Sequence, residues 1–479
     1  MSTLIRSYAV TFAGVAARAD QIEANAYGTS LGKYGTVADM TAALTAAAAA
    51  LVTGGTITIP KGVWAMAAGW NYTGQRVHLL GAGKNLSMVN FNPAAPGVAM
   101  SFNAGGGSGY VEGSVKQIGF TSSNSVDKTA ISLVNVGNVE VHNVAIADGS
   151  WLGANSIGVL TAGRQLVHIS NSKFACSRPV VVAQNASFTS LSADHFIFEK
   201  SELIGNSASF PVIEFSDGAS FSSTTMQFLA IVKGKDGVRW VDTTSTAASF
   251  LLAFRDIRTE QGLDATAWSF DLESTAQNIQ EVLFENIRLD LNRNGIKLRG
   301  AQRITARNVT FAGGAGKVSW DVTFVPGTVL SLTNCFSQAG STRVFTNAKC
   351  VRSARSAVGI GFDELWVFDS GNFSDGEMRS DVYQSGIPVT VANNGTVNIA
   401  DTTFTGWVNI TTSEDVGARF FLSGTTGTVT KLEDQFNFFT NLKASAGKTN
   451  VSKVGSFYEL ENLRGASVVY TVHRIGSSA

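Results

Sequence analysis

Four carboxylates in the middle of this 479-residue chain lie where two of them could act on one bond. Glu214 and Asp217 close one short alternating run, and Asp271 and Glu273 close another. Glycoside hydrolysis needs two carboxyl groups flanking the scissile bond, one held protonated and the other ionised. These four are therefore the candidate catalytic residues, as members of a general acid–base pair. Arg239 and Arg299 fall in the same series of runs and are candidates for binding acidic sugars. Glu199, Glu202 and His168 complete the binding set, and Glu199 and Glu202 are the second choice for the carboxylates.

The same pattern describes a ladder of solvated charges, which keeps a long exposed sheet soluble. Arg255, Glu285 and Arg307 are read that way, with Arg255 and Glu285 able to pair across one strand spacing of about 4.8 Å. Trp151, flanked by Asp148-Gly149-Ser150, admits two readings: an exposed ring that stacks on a sugar, or an anchor tucked onto its own repeat. No tyrosine occurs between Tyr110 and Tyr383, so β-elimination by a tyrosine in this region is disfavoured. A lyase base would have to be an arginine, a lysine, or one of His142, His168 and His195. A surface histidine bonded to a loop is the simpler reading of His142 and His168. No Asp-x-Asp-x-Asp-Gly loop or His/Cys cluster occurs, so neither a metal nor a cofactor is expected.

Positioning these groups falls to a repeated unit. The stretch 139–146 (VEVHNVAI) returns at 167–174, 196–203, 282–289 and 304–311. Each copy alternates apolar and polar, turns at one polar residue, then alternates again. The corner residues are Asn143, Asn171, Lys200, Asp256, Asn286 and Asn308, with Asn334 as a weaker last member. Their spacing is 22–30 residues, apart from a gap of 56 that leaves room for a degenerate copy near 226–231. Self-similarity at this period implies a stacked repeat, and the two-residue alternation makes each unit strand–corner–strand. A second series of runs (130–133, 157–160, 180–183, 212–215, 238–241, 268–271, 296–299 and 318–321) keeps step with the first. Three strands per turn of a right-handed parallel solenoid follow. Ile131, Leu133, Ile213, Phe215, Val238, Trp240, Trp268, Phe270, Ile296 and Leu298 are the expected interior of the second series. In that alignment Phe215, Trp240 and Phe270 stack in order. Glu214, Arg239 and Lys297 share one outward column, while Ser216, Asp271, Arg299 and Asp321 share the next.

Composition narrows the function classes. Basic and acidic residues balance at 36 each and charged residues make up only 15%, which argues against nucleic-acid binding. Cys176, Cys335 and Cys350 form neither a disulfide framework nor a zinc pattern and read as small buried residues. Forty-nine glycines against seven prolines suit short strands joined by tight corners. No apolar run is long enough to span a bilayer, so no membrane association is expected. Residues 1–19 carry Arg6 and an apolar run and weakly resemble a secretory signal. A helix is expected over 37–52, stopped by Gly54-Gly55, with Met40, Leu44, Leu51 and Val52 near one face. After about residue 385 short alternating runs at 389–391, 396–399, 406–410, 419–422, 457–460 and 468–473 read as an antiparallel sandwich.

The segments AALTAAAAALVTGGTITIPKGVWAM (42–66) and VHLLGAG (77–83) resemble the start of right-handed β-helices of the pectate-lyase-like group, as found in bacteriophage tailspikes and capsule depolymerases. In that group a helix caps the solenoid and a Gly-Gly-strand-Pro-x-Gly unit begins the first turn. The Asp-rich stretch usual before the helix is reduced here to 34–39 (YGTVAD), which leaves the fold inference but no enzyme subfamily. The stretch 447–476 is similar to the closing β-domains of phage fibres and spikes. The resemblance implies an all-β chain with an N-terminal arm (1–34), helical cap and first turns (35–110), a polysaccharide-cleaving parallel β-helix (111–384), and a C-terminal β-sandwich (385–479) for trimerisation or sugar binding. It further implies a homotrimer in the virion, joined through its arm to the phage tail or another tail protein. Acting outside the host cell, such a protein would bind and hydrolyse a capsule or O-antigen. A polysaccharide lyase on the same fold and a non-enzymatic receptor-binding adhesin are the alternatives.

Overall fold

The computed structural model describes residues 28–103, 111–163, 166–184, 193–219, 221–244, 249–275, 279–323, 325, 329–338, 341–346, 351–354, 357–358, 383–384, 388–401, 404–412, 417–423, 426–434, 439–442 and 445–478. Residues 1–27 of the expected arm and Cys350 lie outside the described residues. Two compact units are present, one of residues 1–326 with 336–346, the other of 327–335 with 347–479.

The first unit is a parallel β-solenoid closed by one helix. The helix, Met40–Ala50, is shorter than expected at both ends. Asp39 caps it by accepting from the Ala42 amide at 3.1 Å, and Met40, Ala43, Leu44 and Ala47 are buried. Leu51 is buried beyond the helix end, but Val52 is 66% exposed and does not share the apolar face. Gly54 has φ +83°, and a Cβ there would stand 2.5 Å from the Arg76 carbonyl oxygen, so the turn into the first strand admits only glycine without rearrangement.

Each turn carries three strands, as the repeat implies. Two lie either side of the corner, for example Val136–His142 and Ala145–Ile146, which pair in parallel with Leu166–Ser170 and Lys173–Cys176 on the next turn. Further on they merge into long strands bent at the corner: Ala193–Gly205, Phe221–Lys233, Ser249–Glu260, Ile279–Leu289 and Ala301–Phe311. The third strand belongs to a separate eleven-stranded parallel sheet, here termed the flat sheet, running from Trp70–Tyr72 to Thr342–Thr346.

Every expected corner residue holds a left-handed φ between 49° and 56°, including Asn334, and Phe228 at 55° occupies the corner of the degenerate copy. Asparagine adopts this conformation more easily than other L-residues because its amide bonds locally. Here those amides also bond along the stack: Asn286 Nδ2 donates to Asp256 Oδ1 at 3.0 Å and Asn308 Nδ2 to Asn286 Oδ1 at 2.8 Å. Serines following two corners accept amides from the turn before. Ser172 Oγ takes the Val144 N–H at 3.1 Å and Ser201 Oγ the Ser172 N–H at 3.0 Å.

The interior is a dry apolar stack. Phe254, Phe270 and Phe284 have centroids 5.0–5.3 Å apart, and Trp320 packs edge-on against Phe284. Inward and outward parity matches the sequence reading, but the register of two strands, Trp268–Ser274 and Val318–Thr323, does not. Trp240 pairs with Leu272, and Phe270 pairs with Val238 and Ile296. The expected Phe215–Trp240–Phe270 column is therefore Phe215–Trp240–Leu272. The strand begins earlier than its first deep core residue: Trp268 pairs with Asn294 and is only partly buried, so it belongs to the turn side of the stack. Cys176 and Cys335 are buried, and burial pushes the Cys176 thiol up to about 12.

The second unit contains a six-stranded and a four-stranded sheet, largely antiparallel. They enclose Val408, Ile410, Phe420, Leu422, Tyr458, Leu460 and Tyr470 among other apolar groups. The strand Thr428–Asp434 escaped the sequence reading because it has no buried face to write an alternation. No helix among the described residues is long and apolar enough to cross a membrane.

Replacing Phe270 by Asp puts a charge between the rings of Phe254 and Phe284 with no partner, at a cost of about 3–5 kcal/mol. The variant is expected to lack the native circular-dichroism spectrum and cooperative melt. Wild-type melting would mean that Phe270 faces outward.

Candidate active site on the flat sheet

The outward face of the flat sheet gathers alternating charges into a column. Glu214, Arg239, Asp271, Lys297 and Asp321 follow one another in register on successive turns. Glu273 and Arg299 are neighbours in the column beside it. Asp271 and Asp321 were expected to align with Arg299 instead; the earlier start of the Trp268–Ser274 strand moves Asp271 by two residues, between Arg239 and Lys297.

Asp271 is the unusual group. It is 7% exposed, with its nearest cations at arm's length: Arg239 Nε is 3.7 Å from Oδ2 and Lys297 Nζ 3.6 Å from Oδ1. Oδ1 is buried and receives no hydrogen bond among the described residues. Desolvation pushes its pKa up to about 7 against the pull of Lys297, helped by the adjacent Glu273 and by Asp236. Glu273, within hydrogen-bonding reach of Asp271, is pulled the other way: despite its burial, Lys297 and Arg299 hold its pKa down. Lys297 pairs with Glu273, and Arg299 Nε lies 3.0 Å from Glu273 Oε2. Two neighbouring carboxyls whose surroundings push their pKa values apart are suited to separate acid and base roles.

Asp321 was not among the nominated residues. It lies two turns from Asp271 in the same outward column, bonded by Arg299 Nη2 at 3.3 Å. Two turns place the backbones on the order of 9.6 Å apart. Lys297 was likewise missed as a functional group, although its outward position was legible. The needed signal was the register of two strands, Trp268–Ser274 and Val318–Thr323, each displaced by two residues.

Other nominees are held in different ways. Glu214 takes two hydrogen bonds on Oε2, from Arg178 Nε at 3.0 Å and Nη2 at 2.6 Å. Asp217 accepts from the amides and hydroxyls of Thr243 and Thr244, which keeps its carboxylate low and ties two loops together. Glu199 belongs to the other sheet, where Gln227 Nε2 donates to it at 2.8 Å and His168 Nε2 lies 3.1 Å away. Its pKa is lowered, first by Gln227. Glu202 pairs with Lys173 at 3.1 Å. Arg255 and Glu285 form the expected ladder pair at 3.3 Å. Arg239 and Arg299 keep 43% and 41% of their side-chain surface exposed on the face that carries Asp271.

Trp151 corrects the sugar-stacking reading. It is 1% exposed, packed against Phe91 and Phe120, with the Lys128 ammonium 5.5 Å over its ring. The loop anchor is the arrangement observed: polar sequence neighbours hid an apolar pocket formed by earlier turns.

The carboxyl pair has a stability signature. Between the ordinary aspartate range and about pH 7 the folded chain retains a proton on Asp271 that the unfolded chain has released. Stability therefore falls as pH rises through that window. Glu273 acts oppositely, with stabilisation lost as pH drops through its depressed value. Melting temperatures of wild type and Asp271→Asn are expected to diverge between about pH 4 and 7, the wild type losing more as pH rises. Parallel curves would contradict this.

No family model matches the chain, and no curated protein matches it. Among solved structures it is similar to the tailspike gp61 of Pseudomonas phage phi297, at 12% identity and TM-score 0.40 over 94% of this chain and 99% of that one. It is also similar to tailspike gp49 of Acinetobacter baumannii bacteriophage Fri1, a capsular polysaccharide depolymerase, at 12% identity and TM-score 0.39 over 94% and 84%. The A-module of an Azotobacter vinelandii mannuronan C-5 epimerase gives 10% identity and TM-score 0.28 over 70% and 99%. These likenesses are distant, and the solenoid stands on the strand register of the chain itself.

Proposed function

We propose that this chain is a tailspike-type depolymerase that binds an acidic bacterial surface polysaccharide and hydrolyses it on the flat sheet. The supporting observation is the buried Asp271, its cations 3.6–3.7 Å away and its pKa raised by desolvation, beside a Glu273 that Lys297 and Arg299 contact closely, on a face that also presents Arg239 and Arg299. Asp271 serves as general acid and protonates the leaving glycosidic oxygen. Glu273 is too close to face it across the bond, because even a retaining pair stands about 5–5.5 Å apart. Its part is to keep the proton on Asp271, as a positioning residue. Asp321, two turns away in the same column, is assigned as the inverting base, a role that calls for about 6.5–9.5 Å between carboxyls with a water between them. Arg239 and Arg299 hold acidic substituents of the sugar, an attraction that weakens with salt.

The virion setting follows from the sequence resemblance of the cap and first strand. In this reading the chain forms a homotrimer, joined to the phage tail or a tail protein through its arm, and works outside the host cell.

Size analysis of capsule or O-antigen after treatment tests the reading. Asp271→Asn and Asp321→Asn are each expected to lower turnover by about 100- to 10,000-fold. Glu273→Gln is expected to move the alkaline limb of the pH–rate profile, since activity falls as Asp271 loses its proton above about pH 7. Products should be reducing ends of inverted anomeric configuration. Unsaturated ends absorbing in the ultraviolet would establish elimination, and unchanged polymer length would leave an adhesin.

A further inference from the structure

The corner face of the solenoid carries a feature that the flat-sheet site does not use. Along most of its length the corner is a polar ladder, but at two successive turns the ladder is interrupted by Lys200 and Phe228. Phe228 holds φ 55°, a conformation that a bulky aromatic residue rarely adopts. The residue is 51% exposed, so packing offers little return for the strain. Strain retained at such a position points to use.

A groove of about 640 Å³ runs beside it, across the turns of Asn171, Lys200, Phe228, Asp256 and Asn286. Five turns span about 19 Å, enough for several sugar units. Its lining is basic: Lys84, Lys173, Lys200, Arg258 and Arg288 face only Glu202 and Asp256. Lys173 is neutralised by Glu202 and Asp148, whereas Arg258 meets Glu260 in a pair whose side chains stay 60% and 42% exposed and which solvent screens. Arg288 forms no ion pair among the described residues and lies directly in register with Arg258. Like charges placed opposite each other on adjacent strands are destabilising, and an anion bound between them removes the repulsion. Ala230, between Glu202 and Arg258 in the outward column, lines the groove together with Phe228.

We infer that this groove is a second, non-cleaving binding site for an anionic oligosaccharide. One sugar ring stacks on Phe228, and an acidic substituent is held by Arg258 and Arg288. The site shares with the proposed hydrolysis only the class of ligand. Because it lies on the other sheet, it would hold the polymer while the flat sheet acts, raising overall avidity.

Calorimetric titration of the full-length protein tests this, in an Asp271→Asn background so that turnover does not interfere. The probes are galacturonate and mannuronate hexamers, with maltohexaose as the neutral control. Binding of the acidic probes, weakening with salt, is expected. Arg288→Ala and Phe228→Asn should each lower affinity about tenfold or more. Phe228→Asn introduces the residue used at most of the other corners, so it should melt no lower than its parent. Failure of the wild-type groove to bind either acidic probe, equal binding of maltohexaose, or unchanged affinity in both variants would overturn the proposal. So would a lower melting temperature for Phe228→Asn, or a change of solution mass, which would make the corner face a contact between copies. An absence of polysaccharide cleavage would leave these binding results standing.

Discussion

The structure depends on one constraint: parallel strands stacked at about 4.8 Å must keep their two-residue alternation in phase, turn after turn. A slip of one residue would turn Phe270 outward and Asp271 into the aromatic stack. The left-handed corners meet this constraint from within each turn, and the side-chain bonds between successive corners, such as Asn308 to Asn286 to Asp256, carry it along the axis. Because inward residues are locked by packing, outward ones stand on a lattice. The same regularity that builds a dry core therefore places Glu214, Arg239, Asp271, Lys297 and Asp321 in line.

Such a lattice gives chemistry cheaply, but it also neutralises most of what it places. Opposite charges on adjacent turns quench each other, as Arg178 does Glu214 and Arg255 does Glu285. What distinguishes Asp271 is that its cations stay more than 3.5 Å away while its surroundings exclude water. Glu273 takes the closer contacts with Lys297 and Arg299. The asymmetry between the two carboxyls comes from which of them the cations reach.

Much of this was legible in the sequence. The corner asparagines, with Lys200 and Asp256, announced the repeat, and alternation gave the face of almost every strand residue. Register was less accessible, because Trp268 is apolar enough to pass for the first interior residue while sitting at the turn. That two-residue ambiguity, which recurs in the Val318–Thr323 strand, put Arg299 rather than Lys297 between Asp271 and Asp321. Trp151 was ambiguous for a different reason: its partners Phe91 and Phe120 are distant in sequence. Phe228 fell in the one copy too degenerate to align, so its exposure and its left-handed backbone could not be read in advance.

The account turns on the protonation of one carboxyl. Difference infrared titration of protein carrying ¹³C-labelled aspartate, wild type minus Asp271→Asn, isolates that group. The account predicts a protonated-carboxyl band that disappears near pH 7. A band already lost in the ordinary aspartate range, about pH 4, would contradict it.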